Sequence, residues 1–281
     1  MASTDWLSAS EQTRHLPNWK LHLFMLVTSV SLGMMSMGFP PALLALACVL
    51  ILPGALFHDR KQYVRRDAAL TLPWAVLMVG LIPAVVIRVE AMRFRFQDAR
   101  LIEIDQALGF NVPSIMAWFA AHTSIGQILR YAYWSLDLLL LAAVLIPALA
   151  GRRREAETLM IANLFAFLVS LPIFMLLPAI GPWAGFHFEG TEAQRRVEME
   201  MIGLQTASIC LPSFHTIWAI FGAWTLRFLK PIRIPLMLWA ALIVISTVST
   251  GWHYVIDTLA GVLLAGASIV CAETTWKAIQ K

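Results

Sequence analysis

Long apolar runs separated by short polar or basic turns set the pattern of this chain. At 1.5 Å per helical residue, about 20 apolar residues cross the ~30 Å hydrocarbon core of a bilayer. After a polar tail over residues 1–18, the runs predict spans at Leu21–Phe39, Ala42–Phe57, Leu70–Val89, Ile128–Ala150 and Leu159–Ile180. Three more follow at Pro212–Leu229, Ile234–Thr250 and Trp252–Cys271. Pro40-Pro41 breaks the first run from the second, and Pro73 and Pro83 lie inside the third, where a membrane-embedded helix tolerates them. Residues 90–127 differ: charges alternate with aromatics, and Asp105–Phe110 and Trp118–His122 read as short amphipathic helices at the interface. A polar loop over about residues 183–210 carries Arg195, Arg196 and four glutamates.

Composition fixes the class. Hydrophobic residues make up 59% and charged residues 14% of the 281, against about 25% charged in soluble domains. The expected fold is all-α, a polytopic membrane helix bundle of about eight transmembrane helices. Residues 1–69 form an N-terminal tail and two-helix membrane hairpin, and residues 70–281 form the core. The net charge of +4 is small, and the Lys and Arg residues sit in turns between apolar runs. That placement carries orientation and argues against nucleic-acid binding. Alternate loops divide the 21 cations into fourteen on the side of both termini and seven on the other. The positive-inside rule then puts the termini in the cytoplasm. No cleavable signal is visible, so a bacterial inner membrane is the expected location. Cys48, Cys210 and Cys271 show no metal or disulfide spacing, and Cys210 reads as a small apolar filler.

Two short stretches carry chemistry: Cys210-Leu-Pro-Ser-Phe-His215 and Gly251-Trp-His-Tyr-Val-Ile-Asp257. His253 and Asp257 are four residues apart and share one face of a helix. A carboxylate that fixes the tautomer makes neutral imidazole a competent nucleophile, and a second histidine, His215, can serve as proton donor. Ser213 is a good helix cap, and the free N–H groups beyond it favour an anion. Two runs of about 18 residues go down through the membrane and back, so His215, His253 and Asp257 are expected at one depth on the outer face. Ionisable groups at such positions are costly and usually functional.

Pro-Ser-Phe-His followed by His-Tyr-x-x-Asp-x-x-Ala-Gly resembles the type 2 phosphatidic acid phosphatase superfamily. Within it, the match looks nearest the branch of the inositol phosphorylceramide synthases. The phosphatases' Lys-x6-Arg-Pro motif is absent, and Ser246-Thr247 stands where they carry Ser-Arg. The resemblance implies a six-helix phosphatase-like core. It also implies a catalytic trio in which His253 attacks phosphorus, Asp257 holds its other N–H and His215 moves the proton. Ser213 and Phe214 would help bind phosphate through the helix start, with no metal and no cofactor.

Other candidates for substrate binding are Arg195 and Arg196 in the outer loop, and Arg130 with Tyr131 and Tyr133 at the head of the fourth span. Asp137, two turns further on, implies a polar cavity or a partner for Arg130. The expected partner is a phospholipid or lipid phosphate. The leading expectation is a lipid phosphotransferase, with a lipid or polyprenyl phosphate phosphatase next. A non-catalytic lipid-binding or transport protein is a third reading, disfavoured because no paired broken helices recur in two halves.

Overall fold

The structure is a computed structural model. It describes residues 95–186 and 210–279 continuously, together with isolated helical positions between Leu21 and Val89. The first three predicted spans therefore lie almost wholly outside the described residues, as do Arg195, Arg196 and most of the 183–210 loop.

Every long element is a helix. In chain order these are α1 (Asp98–Ala107), α2 (Val112–Ala121), α3 (Thr123–Trp134), α4 (Leu136–Leu149), α5 (Arg153–Leu176), α6 (Phe214–Thr225), α7 (Arg233–Ser249) and α8 (Val255–Ile279). A one-turn helix at Pro182–Gly185 follows α5, and two 3-10 turns join α6 to α7. Among the described residues, four stretches are long and apolar enough to cross a membrane: Thr123–Leu149, Arg153–Leu176, Lys230–Ser249 and Val255–Ile279. They correspond to the predicted fourth, fifth, seventh and eighth spans. The predicted sixth, Pro212–Leu229, is a shorter helix, α6, ending in a 3-10 turn at Leu226–Phe228.

Local chemistry explains the boundaries. Asn111 caps α2 by accepting from the Ser114 N–H at 3.0 Å, and Pro113 follows in the first turn. Between α3 and α4, Ser135 turns its hydroxyl back to the Ala132 carbonyl at 2.7 Å and accepts from Trp239 Nε1 at 2.8 Å. One serine thus marks the break and ties α7 to it. Ser213 caps α6, its Oγ accepting from the Thr216 N–H at 3.3 Å. Gly251 ends the turn after α7 at φ +78°, a conformation costly for any residue with a Cβ.

α6 is the middle of the bundle and touches α4, α5, α7 and α8, while α8 also runs along α5. Close approach depends on small residues. Along α8, Gly261, Ala265, Ser268 and Ala272 recur at helical spacing and are buried, the small-residue packing by which membrane helices approach each other. A Cβ on Gly261 would sit 2.8 Å from the Ser213 carbonyl oxygen, so glycine is what lets α8 touch the start of α6.

The amphipathic region departs from the expectation. α1 does not simply lie at an interface on an apolar face. It buries Asp105 as well as Leu101 and packs against the start of α8. Asp98 and Asp105 are used inside the protein, while Glu103 is exposed.

Candidate active site

Four chain segments meet at one end of the bundle: α1, the turn at 178–183, the approach to α6 and the turn from α7 into α8. The Ser213 N–H donates to the Asp257 carbonyl at 3.0 Å, and the His253 N–H donates to the Thr247 carbonyl at 3.0 Å. The Trp183 N–H donates to the Gly251 carbonyl at 3.2 Å. These bonds set the two histidine-bearing segments side by side. The His215 and His253 ring centroids are 5.6 Å apart, tilted by 59°. The common depth expected from two 18-residue runs is thus what the geometry has.

Around His253 the arrangement is more particular than a histidine–carboxylate pair. Nδ1 lies 3.6 Å from Asp257 Oδ2, beyond hydrogen-bond reach. The Cys210 sulfur occupies the space beside that gap, donating to Asp257 Oδ2 at 2.8 Å and lying 3.4 Å from His253 Nδ1. The Tyr254 N–H also donates to Oδ2, at 2.8 Å. Asp257 Oδ1 is buried and has no hydrogen-bond partner among the described residues. Asp257 is 0% and His253 6% exposed, so both are cut off from bulk water. Burial pushes the Cys210 thiol well above its ordinary range, and the neighbouring Asp257 adds to the shift. The thiol therefore stays neutral and acts as a donor. Cys210 is a hydrogen-bond partner of the Asp257 carboxylate rather than the apolar filler its sequence implies.

α1 supplies the scaffold. Asp105 accepts from the Val255 N–H at 2.9 Å and the Ile256 N–H at 2.8 Å, capping the first turn of α8 from a distant part of the chain. Burial raises the Asp105 carboxyl above its usual range, and the two backbone bonds pull it partly back. Asp98, seven residues earlier and so on the same face, accepts from the Gly181 N–H at 2.9 Å, the Ile180 N–H at 3.1 Å and the Tyr254 hydroxyl at 3.0 Å. The two carboxylates clamp both turns that flank His253.

His215 stacks on Tyr133, with centroids 4.4 Å apart, and Tyr133 lies parallel to Trp252 at 6.0 Å. Trp183 completes this aromatic cluster. Of the two tyrosines the sequence offers beside Arg130, Tyr133 is the one that stacks on His215. Two positions on a helix turn a side chain to the opposite side, so Tyr131 is 73% exposed while Tyr133 is 5% exposed. Arg130 is exposed on the outer side of α3, Asp137 is exposed on α4, and no bond joins them among the described residues. Phe214 turns its ring into the core against Phe167, Phe174 and Trp218. What Phe214 offers the site is its backbone N–H. Since Ser213 spends its own N–H on Asp257, the donors left at this helix start are those of Phe214 and His215.

Cys210, His253 and Asp257 also form a group whose ligand atoms all lie within 4.8 Å of one another. No residue spacing in the sequence points to it, because Cys210 is over forty positions from both partners.

The sequence profile of the PAP2 superfamily matches residues 99–271, more than half of the chain and both histidine segments. The chain belongs to the PAP2 superfamily. No curated protein and no solved structure matches it. Membership and the four apolar helices make it an integral membrane protein. They also assign it the general activity of the superfamily, that of a lipid phosphatase or phosphotransferase. As a PAP2 superfamily chain it lies within an all-helical membrane fold, as the apolar runs predict.

Proposed function

We propose that this protein is a phosphohistidine-forming lipid phosphotransferase, with His253 as nucleophile, His215 as acid and base, and Asp257 as the group that orients His253. The observation that carries the reading is the convergence of the two histidines at 5.6 Å, with Asp257 behind His253 and the α6 start beside His215. Asp257 and Cys210 lie on the Nδ1 side of His253, which leaves Nε2 to attack. In the first step the Nε2 lone pair forms a bond to phosphorus, the bond to the leaving oxygen breaks, and His215 gives that oxygen a proton. In the second, His215 removes the proton of an incoming hydroxyl, whose oxygen attacks phosphorus and releases His253. The N–H groups of Phe214 and His215 are placed to bear on the equatorial oxygens as charge builds there. The 3.6 Å separation of Nδ1 and Oδ2 is expected to close once a phosphate draws the imidazole into position, since such bonds are often long before substrate binds.

The aromatic wall of Tyr133, Trp183 and Trp252 supports a lipid alcohol as acceptor, because it offers such a chain an apolar surface beside His215. The absence of the phosphatase arginines points the same way. An inositol phosphorylceramide synthase-like transfer of a phospho-headgroup, with diacylglycerol released, is the specific form of this proposal. The outward-facing site in a bacterial inner membrane, with cytoplasmic termini, belongs to the same reading, as do roles in phosphate binding for Arg195, Arg196, Arg130 and Tyr131. The test is turnover of the purified protein in lipid on a panel of phospholipids and lipid phosphates, beside His253→Ala. Release of diacylglycerol together with a new phospho-headgroup lipid supports the transferase. Release of inorganic phosphate alone makes the protein a phosphatase, and equal turnover by His253→Ala removes the nucleophile.

A further inference from the structure

We propose that Cys210, His253 and Asp257 form a site for a thiophilic d10 metal ion of the zinc class, and that the ion, once bound, switches the enzyme off. The regulatory half of this rests on the catalytic reading above; the binding half does not.

Three ligand types that zinc favours meet here in one buried cluster: a thiol, an imidazole and a carboxylate. With bonds of about 2.3 Å to sulfur and about 2.0–2.2 Å to nitrogen and oxygen, a tetrahedral ion holds its ligand atoms roughly 3.4–3.6 Å apart. Sulfur to Nδ1 is 3.4 Å, and Nδ1 to Oδ2 is 3.6 Å. Two of three edges therefore already fit. The third, sulfur to Oδ2 at 2.8 Å, is short because a thiol proton now lies along it. Metal binding releases that proton to solvent, replaces one hydrogen bond by two bonds to the ion, and lets the edge open. A second observation points to a missing ligand at this spot. Asp257 Oδ1 is buried with no hydrogen-bond partner among the described residues, an acceptor left over on one of the three ligand side chains.

The consequence for turnover is direct. An ion on Nδ1 displaces the proton that Asp257 would hold and takes Oδ2 for itself. It also withdraws electron density from the ring that must attack phosphorus. A resting enzyme in a zinc-rich environment would thus be held inactive until a chelating ligand removes the ion.

The experiment uses cadmium as the probe, because its thiolate bond gives a charge-transfer absorption independent of turnover. The full chain in nanodiscs is titrated as Cys48→Ala/Cys271→Ala, which leaves Cys210 as the only cysteine. The expected results are one saturable thiolate band, its loss in the added variant Cys210→Ser, and at least a tenfold weaker midpoint in His253→Ala and in Asp257→Asn. In the wild type, zinc should inhibit turnover and a chelator should restore it. A band that survives Cys210→Ser, or a midpoint unmoved by both His253→Ala and Asp257→Asn, overturns the site. Binding without inhibition overturns the switch alone. A normal band in a protein that turns over no lipid keeps the site and removes the catalytic reading instead.

Discussion

At the far end of α8, Glu273 lies between Arg154 and Arg227, and Glu157 of α5 binds Arg153 at 2.6 Å and accepts from Trp276 Nε1 at 2.9 Å. At the near end, Asp257, Asp98 and Asp105 take bonds from backbone N–H groups, a thiol and a phenol, and among the described residues no cation touches them. Both ends hold carboxylates away from water. At the far end opposite charges neutralise them, which makes a fastening that does nothing else. At the near end dipoles bond them, and the negative charge of Asp257 stays beside the His253 imidazole, as the proposed chemistry requires. A carboxylate solvated by dipoles rather than by cations is what a catalytic histidine needs beside it.

The sharpest way to break this contrast is Asp257→Asn. The substitution keeps shape and one acceptor oxygen for the Tyr254 N–H, and it places an NH2 group where Oδ1 has no partner. Only the charge behind His253 is lost. Turnover is expected to fall by about 10²–10⁴-fold, the range seen when the orienting acid of a histidine is neutralised, while thermal unfolding changes little. A variant retaining more than a tenth of wild-type turnover would show that Asp257 is structural, like its counterparts at the far end.

Asp105→Ala comes next, and it acts through the fold. It strands the N–H groups of Val255 and Ile256 at the head of α8. At about 1–3 kcal/mol for each group left unpaired, the loss is expected to total roughly 2–6 kcal/mol. Chemical denaturation in micelles measures it. Because His253 precedes this helix start directly, kcat should fall along with stability, and an Asp105→Asn variant should recover part of both. A stability change below about 0.5 kcal/mol would mean that α1 is not the clamp described.

Gly261→Ala tests packing beneath the site. The new Cβ would meet the Ser213 carbonyl at 2.8 Å and the Thr216 Cβ at 3.0 Å. Overpacking of this kind costs about 1–3 kcal/mol, and it should push the α6 cap away from α8, weakening substrate binding more than it lowers the melting temperature. A larger residue at Gly266, which has open space, serves as the control.

How much of this was legible follows from the range over which each signal acts. Apolar runs gave the four membrane-length stretches with ends one to eight residues from those observed, because span length depends on local composition. His215, His253 and Asp257 are visible as candidates because their motifs are short and local. Cys210 was missed, since its contact with Asp257 crosses 47 positions and no spacing encodes it. Asp98 and Asp105 were missed for the same reason, although a pair seven residues apart in an apolar chain is itself a signal of one shared polar face. The sequence does not separate Tyr131 from Tyr133, because which of the two turns inward depends on the angle around the helix.

The smallest expected effect lies at the far end. Glu273 is one carboxylate between two arginines whose side chains are 45% and 34% exposed, and water can replace most of what it gives them. Glu273→Gln keeps hydrogen-bond geometry and removes the charge, so the loss after solvent screening is expected to be under about 1 kcal/mol. Turnover should stay within twofold of wild type, measured in the same assay as Asp257→Asn. Raising the salt concentration should shrink the stability difference further, since exposed pairs are screened. Equal damage from Glu273→Gln and Asp257→Asn would erase the distinction between the two ends, because neutralising a carboxylate held by cations would then matter as much as neutralising one held by dipoles beside His253.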